Sequence, residues 1–125
     1  LSGVFDDFPG LTIVLGHMGE GLPFWLPRID KKMELFQGIN PPERKLKKKP
    51  SQYFLDNFYI TTSGMNYTEP LVLAHSVMGP DRILFAVDYP FEENEEPVAM
   101  MDAAPLSEED RHKIYHRNAE KVFRL

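Results

Sequence analysis

Leu11-Thr12-Ile13-Val14-Leu15-Gly16-His17-Met18-Gly19-Glu20-Gly21-Leu22-Pro23 is the stretch on which the fold turns, and Ile83-Leu84-Phe85-Ala86-Val87-Asp88-Tyr89-Pro90-Phe91-Glu92 repeats its logic. Each begins with a short, almost wholly apolar run, which suits a strand covered on both faces, as parallel strands are. Each run then stops at a side chain able to bind a metal or move a proton. In a parallel α/β barrel, branched side chains fill the strands and the chemistry sits just past their C-terminal ends. Strands are therefore expected over Leu11–Leu15 and Ile83–Val87, with His17 and Asp88 at a shared functional edge.

Outward from these two stretches, the chain alternates strand and helix. Leu22, Trp25, Leu26, Ile29, Met33 and Phe36 recur at helical spacing, which predicts a helix from about Glu20 to Gln37. Pro23 suits its first turn, whereas Pro27 lies deep enough to kink or split it. A basic stretch follows, with Arg44, Lys45, Lys47, Lys48 and Lys49, and then a helical turn over Ser51 to Asp56. Phe58–Thr62 reads as a strand ending at Ser63-Gly64. Thr68 is expected to cap a helix reaching Met78, which Gly79-Pro80 stops. After Asp88, a Pro-punctuated acidic loop from Tyr89 to Pro97 precedes a short helix over Val98–Ala104. Ser107 and Asp110 form a capping box for the last helix, with Tyr115, Ala119 and Val122 on one face. Successive βα units imply a parallel sheet with right-handed crossovers.

The fold class is thus α/β, but 125 residues is half of what a (β/α)8 barrel needs, about 250. The opening Leu1-Ser2-Gly3-Val4-Phe5 lacks a Met and reads as the tail of a helix, so a fragment of a larger barrel is expected. The hydrophobic fraction of 42% supports a core, and the net charge of -5 argues against nucleic acid as a partner. The lysine run has no interleaved aromatic residues and is taken as a solvated loop. With no cysteine, a metal would have to be held by His, Asp or Glu. No apolar stretch approaches a membrane span and no signal-peptide pattern is seen, so a cytoplasmic location is expected.

Three polar residues at three strand ends, His17, Ser63 and Asp88, carry the functional reading. A lone histidine there is commonly structural. Glu20, three residues on, changes the balance, because a carboxylate beside an imidazole orients it and raises its pKa. Gly16 and Gly19 would lower local bulk for an approaching ligand. Asp88 is either a metal ligand and proton carrier or a cap for the segment after it. His112 and His116, four residues apart among Arg111, Lys113 and Arg117, are placed on a helix packed outside the barrel, and His75 within a helix is assigned to the surface or to packing. There is no Walker loop, dinucleotide turn or nucleophile elbow.

Phe8-Pro9-Gly10 through Gly19-Glu20, Trp25 with Arg28-Ile29-Asp30, Phe85 through Glu92, and Asn118-Ala119-Glu120-Lys121-Val122-Phe123 together resemble the C-terminal part of the amidohydrolase-2 family. Within it the likeness is to the non-oxidative decarboxylases of hydroxybenzoates, of the γ-resorcylate and 2,3-dihydroxybenzoate type. The resemblance implies the C-terminal portion of a TIM barrel of the metal-dependent hydrolase type, with residues 1–125 part of one domain. It implies His17, Glu20 and Asp88 as catalytic, Asp88 as ligand to Zn2+ or Mn2+, and Phe91 and Tyr89 at an aromatic acid substrate. Arg28 would reach a neighbouring subunit's site, so a homo-oligomer, dimer or tetramer, is implied. The family's N-terminal His-x-His or Glu-x-His pair and a mid-chain metal histidine have no counterpart here. A metal-dependent lactone or amide hydrolase, and an inert piece or interaction module, are the alternatives.

Overall fold

The structure, a computed structural model, describes residues 2–39 and 45–125. Among the described residues three strands, β1 (Ile13–Leu15), β2 (Phe58–Thr61) and β3 (Ile83–Leu84), form one parallel sheet in the order β1-β2-β3. Leu15 lies opposite Ile60, and Ile60 opposite Ile83, so the middle strand carries the register for both neighbours. The core centres on this strand: Ile60, Leu71, Ile83, Met101 and Ile114 are completely buried.

All three strands are shorter than their apolar runs. At β1, the buried Asn57 donates through Nδ2 to the carbonyls of Pro9 (3.0 Å) and Leu11 (2.9 Å), a side-chain staple preceding the ladder. At β3, the ladder ends at Leu84 because the Thr62 carbonyl, which would accept the Ala86 amide in a continued ladder, accepts the Met65 amide instead, 3.1 Å off, while the Phe85 amide faces away from β2 to the Ile114 carbonyl at 2.8 Å.

Helix α1 (Val4–Asp7) starts after Gly3 at φ 89, so the N-terminal stretch opens a helical turn instead of ending one. Helix α2 (Leu22–Ile39) is a single element that includes Pro27, contrary to a split there. The ring lies on the exposed side and removes only one amide donor. Helix α3 (Pro50–Asn57) leads straight into β2. Lys48 pairs with its Asp56 at 2.7 Å and Lys49 with Glu34 of α2 at 3.0 Å, as a surface loop would; Arg44 lies outside the described residues.

Helix α4 (Thr68–Met78) has Tyr67, not Thr68, in the cap position, and Gly79 at φ 75 ends it. Helix α5 (Glu95–Ala103) begins three residues earlier than expected. Glu95 and Glu96 suit the positive end of its dipole, and Pro97 is tolerated in a first turn. Ser107 caps α6 (Glu108–His112) by accepting the Asp110 amide, but the Asp110 carboxylate faces His75 Nε2 at 3.1 Å, so the capping box is half made. A π-helical segment, Lys113–Arg117, joins α6 to α7 (Asn118–Phe123) and rotates the buried face onto Ile114 and Asn118. Asn118 Nδ2 donates to the carbonyls of Pro80 and Ile83, both at 2.7 Å, fastening the C-terminus to β3.

Much apolar surface remains uncovered. Of the stripe along α2, only Leu26 is buried, while Trp25 and Phe36 are 48% and 65% exposed. Outer strands with free edges and open apolar faces promote association. The 125-residue chain alone is therefore expected to sediment as dimers or larger species at micromolar concentration, and a sharp monomer boundary would contradict this. No helix among the described residues is long and apolar enough to cross a membrane.

Candidate active site

Since the strands run parallel, the segments leaving their C-terminal ends all emerge at one edge of the sheet. That edge receives His17 after β1, Ser63 and Gly64 after β2, and Asp88 after β3. The chain reaches His17 through an unusual backbone. His17, Met18, Gly19, Glu20 and Gly21 all have positive φ, and three of these five are not glycine. Left-handed backbone costs an ordinary L-residue about 1–2 kcal/mol, so such a run persists only where its surroundings hold it. Here Met18 plugs the core, the Gly19 amide donates to the Gly16 carbonyl at 2.8 Å, and Ser63 Oγ lies 3.4 Å from the His17 amide.

The turn folds Glu20 back onto the imidazole. Glu20 Oε1 is 2.5 Å from His17 Nδ1, and Asp88 Oδ2 is 3.5 Å from Nε2, so the ring sits between two carboxylates. The Glu20 carboxylate raises the His17 pKa above its ordinary value and Asp88 adds to this, while partial burial opposes both. The ring thus keeps its proton to higher pH than a free histidine. The associated stability is present in full below about pH 6.5 and disappears as pH rises through the raised folded-state pKa. It is modest, because the two side chains are 44% and 60% exposed. Replacing Glu20 by Gln in the metal-free protein is expected to lower the His17 titration midpoint, read from imidazole NMR shifts. An unmoved midpoint would show that Glu20 is not its main partner.

Asp88 also has positive φ, 85°. Its backbone carbonyl, not its carboxylate, accepts the turn amides of Phe91 (2.8 Å) and Glu92 (3.3 Å). The capping alternative for the Asp88 side chain therefore does not hold. Among the described residues its Oδ1 has no hydrogen-bond partner, which leaves an oxygen available to a cation. No group of three or more His, Asp or Glu able to hold a metal occurs among the described residues. Catalytic zinc typically takes three protein ligands, and the open carboxylate oxygen of Asp88 has the chemistry to supply one of them.

Gly64 forms the floor between the two side chains. A Cβ on it would stand 3.1 Å from His17 Cδ2 and 3.2 Å from Asp88 Oδ2. Gly19 works differently from expectation: it is buried, with Ile60 Cγ2 3.0 Å from where a Cβ would lie, so it permits packing and not ligand access.

His17, Glu20, Asp88 and Ser63 thus converge. Tyr89 and Phe91, 77% and 85% exposed, turn their rings to solvent. Arg28 lines a shallow groove on α2 with Trp25, Ile29, Met33 and Phe36. His75 ties α4 to α6 through Asp110, and His116 pairs with Glu120 at 3.0 Å. Sequence reasoning missed Thr62 and Asn66. Asn66 Oδ1 is buried without a partner and its Nδ2 approaches Glu92 at 3.5 Å. The only signal was their place beside a polar strand end.

A family model described as Amidohydrolase matches residues 1–125. The chain is 44% identical over 124 residues to a γ-resorcylate decarboxylase of Polaromonas, covering 99% of this chain and 37% of that protein. It superposes with TM-score 0.93 on 5-carboxyvanillate decarboxylase from Sphingomonas paucimobilis, at 43% identity, covering 100% of this chain and 37% of the other. A dihydroxybenzoic acid decarboxylase of Polaromonas, solved with manganese and the inhibitor 2-nitroresorcinol, gives TM-score 0.89 at 44% identity, covering 99% and 37%. The chain therefore spans little more than a third of these relatives, and its fold is part of an α/β barrel, as expected from the sequence.

Proposed function

Because the chain belongs to the amidohydrolase family, we propose that the full-length protein is a metal-dependent non-oxidative decarboxylase of hydroxybenzoate-type aromatic acids. Residues 1–125 would be the C-terminal part of its single barrel domain. The observation that carries this is the bracketed imidazole: His17 between Glu20 and Asp88 at the C-terminal edge of the strands. A site with a protonated ring and a second acid can hold an anionic phenol and deliver a proton to carbon.

In this reading Asp88 carries a proton and delivers it to the ring carbon bearing the carboxylate. The bond from that carbon to the carboxylate then breaks, its electron pair returns to the ring, and CO2 leaves as aromaticity is restored. His17, held by Glu20, donates a hydrogen bond to a substrate oxygen and stabilises charge developing there. With Nε2 3.5 Å from Asp88 Oδ2, it is also placed to restore the spent proton. A divalent ion held in part by Asp88 would neutralise the substrate's carboxylate and phenolic oxygens. Manganese is favoured by the neighbour solved with it, and zinc is the other candidate. Phe91 and Tyr89 would wall the substrate, their exposure fitting a pocket completed by further chain. Arg28 on its exposed stripe would serve a neighbouring subunit in a dimer or tetramer. A cytoplasmic location suits a catabolic enzyme of soluble aromatic acids.

Incubating the full-length, manganese-loaded protein with 2,6-dihydroxybenzoate and related hydroxybenzoates tests the proposal. CO2 and the matching phenol are expected in equal amounts. Hydrolysis of a lactone or amide without CO2 from any hydroxybenzoate would sink it. The isolated piece, lacking the other metal ligands, is expected to be inactive and to retain no stoichiometric manganese after gel filtration.

A further inference from the structure

Thr62 is completely buried immediately before the residues that touch His17 and Asp88. In a parallel ladder, a residue's N–H donates to one residue of the neighbouring strand and its C=O accepts from the residue two further on. The Thr62 amide keeps the first half of this pattern, donating to the Leu84 carbonyl at 3.0 Å. Its carbonyl does not keep the second half. It accepts the Met65 amide at 3.1 Å and so closes the turn that carries Ser63 and Gly64 to the site.

The hydroxyl takes over what the carbonyl gives up. Thr62 Oγ1 accepts the Ala86 amide at 3.0 Å and donates to the Ala86 carbonyl at 2.8 Å. One side chain therefore holds both backbone groups of the residue two before Asp88. The Phe85 amide is engaged by Ile114, so Thr62 is what keeps the run to Asp88 against β2 after the ladder has ended. It lets β2 turn away while β3's continuation stays in place, and Asp88 then departs at φ 85 toward His17.

We propose that Thr62 is a positioning residue for the reaction: its hydroxyl replaces a ladder carbonyl and fixes the Ala86–Asp88 segment, and with it the Asp88 carboxylate, relative to His17. This rests on the decarboxylase reading for its kinetic consequence but not for its effect on the metal.

The experiment uses the full-length protein with T62V, T62S and T62C, read by Mn2+ affinity, thermal midpoint, and the split between kcat and KM. T62V keeps the shape and loses the hydroxyl. Removing groups that orient a metal ligand typically weakens metal binding or activity roughly 10- to 100-fold. Such a loss is expected in Mn2+ affinity and in kcat at saturating Mn2+ for T62V, with KM near wild type. T62S is expected to restore both, and T62C to fall between. A T62V protein with a lowered thermal midpoint but wild-type Mn2+ affinity and kcat would overturn the proposal and leave Thr62 a stabilising residue only. Should T62V not fold, equal Mn2+ affinities in T62S and T62C would overturn it instead. If the wild type proves not to decarboxylate hydroxybenzoates, the functional reading fails while the Mn2+ affinities still decide the role of Thr62.

Discussion

Changing Gly64 to Ala in the full-length protein is expected to reduce kcat by about 100-fold or more while the protein still folds. Two effects combine. At φ +63 an alanine is strained, by about 1–2 kcal/mol, which a domain with a buried strand core can absorb. The larger effect is steric: the new methyl would lie 3.1 Å from the His17 ring and 3.2 Å from the Asp88 carboxylate, closer than ordinary van der Waals contact. His17 is held at Nδ1 by Glu20, and the Asp88 carboxylate can move aside only by leaving His17 Nε2, 3.5 Å away. One or both must move, and a displacement of about 1 Å at a reacting group is sufficient for a loss of roughly 100-fold. Steady-state kinetics and thermal melts on the purified variant check this. A variant with lowered thermal stability but unchanged kcat would show that the space above Gly64 is not used by the reaction. Gly64→Ser should behave no better, since the obstruction is the Cβ itself.

How far such residues were visible in the sequence depended on what kind of physics holds them. Strand positions were legible because buried parallel strands must be continuously apolar, and His17 and Asp88 stood out as the interruptions of two such runs. Glu20 was legible as well, through its three-residue spacing from His17, although the route is a left-handed turn that no helical periodicity encodes. Strand lengths were not legible. Leu11 and Phe85 continue their apolar runs, yet Leu11 is exposed with its carbonyl on Asn57, and the ladder beyond Leu84 stops where the Thr62 carbonyl turns to the Met65 amide. Polar staples were invisible for the same reason. Asn57 and Asn118 look like ordinary loop or surface residues, and Thr62 like the end of a strand, until the fold brings backbone groups to each side chain. The half-made capping box at Ser107 shows the opposite error, a local motif that fits well but whose Asp110 is drawn off by His75 from another helix.

In the proposed reaction Asp88 carries the proton, and Asp88→Asn in the full-length protein isolates what its charge and proton contribute. The substitution keeps size and shape, so the cradle formed by Gly64 and His17 need not rearrange. Three things are lost. The amide cannot deliver a proton to carbon, it is a weaker ligand for a divalent ion, and it no longer helps to hold the proton on His17, whose pKa Asp88 raises together with Glu20. Loss of a positioned general acid alone is worth roughly 100- to 10,000-fold, and the weakened metal site places the expected fall in kcat toward the upper end. The imidazole midpoint of the metal-free variant should also fall, but by less than in the Glu20→Gln protein, because Asp88 is the lesser contributor. Kinetics at saturating Mn2+ separate the proton from the metal. If excess Mn2+ restores the activity of Asp88→Asn, the carboxylate serves only to bind the ion and the proton must come from another group, with His17 the nearest. If activity stays low with Mn2+ bound, Asp88 itself delivers the proton, and His17, 3.5 Å from its carboxylate, is the nearest group through which one can return.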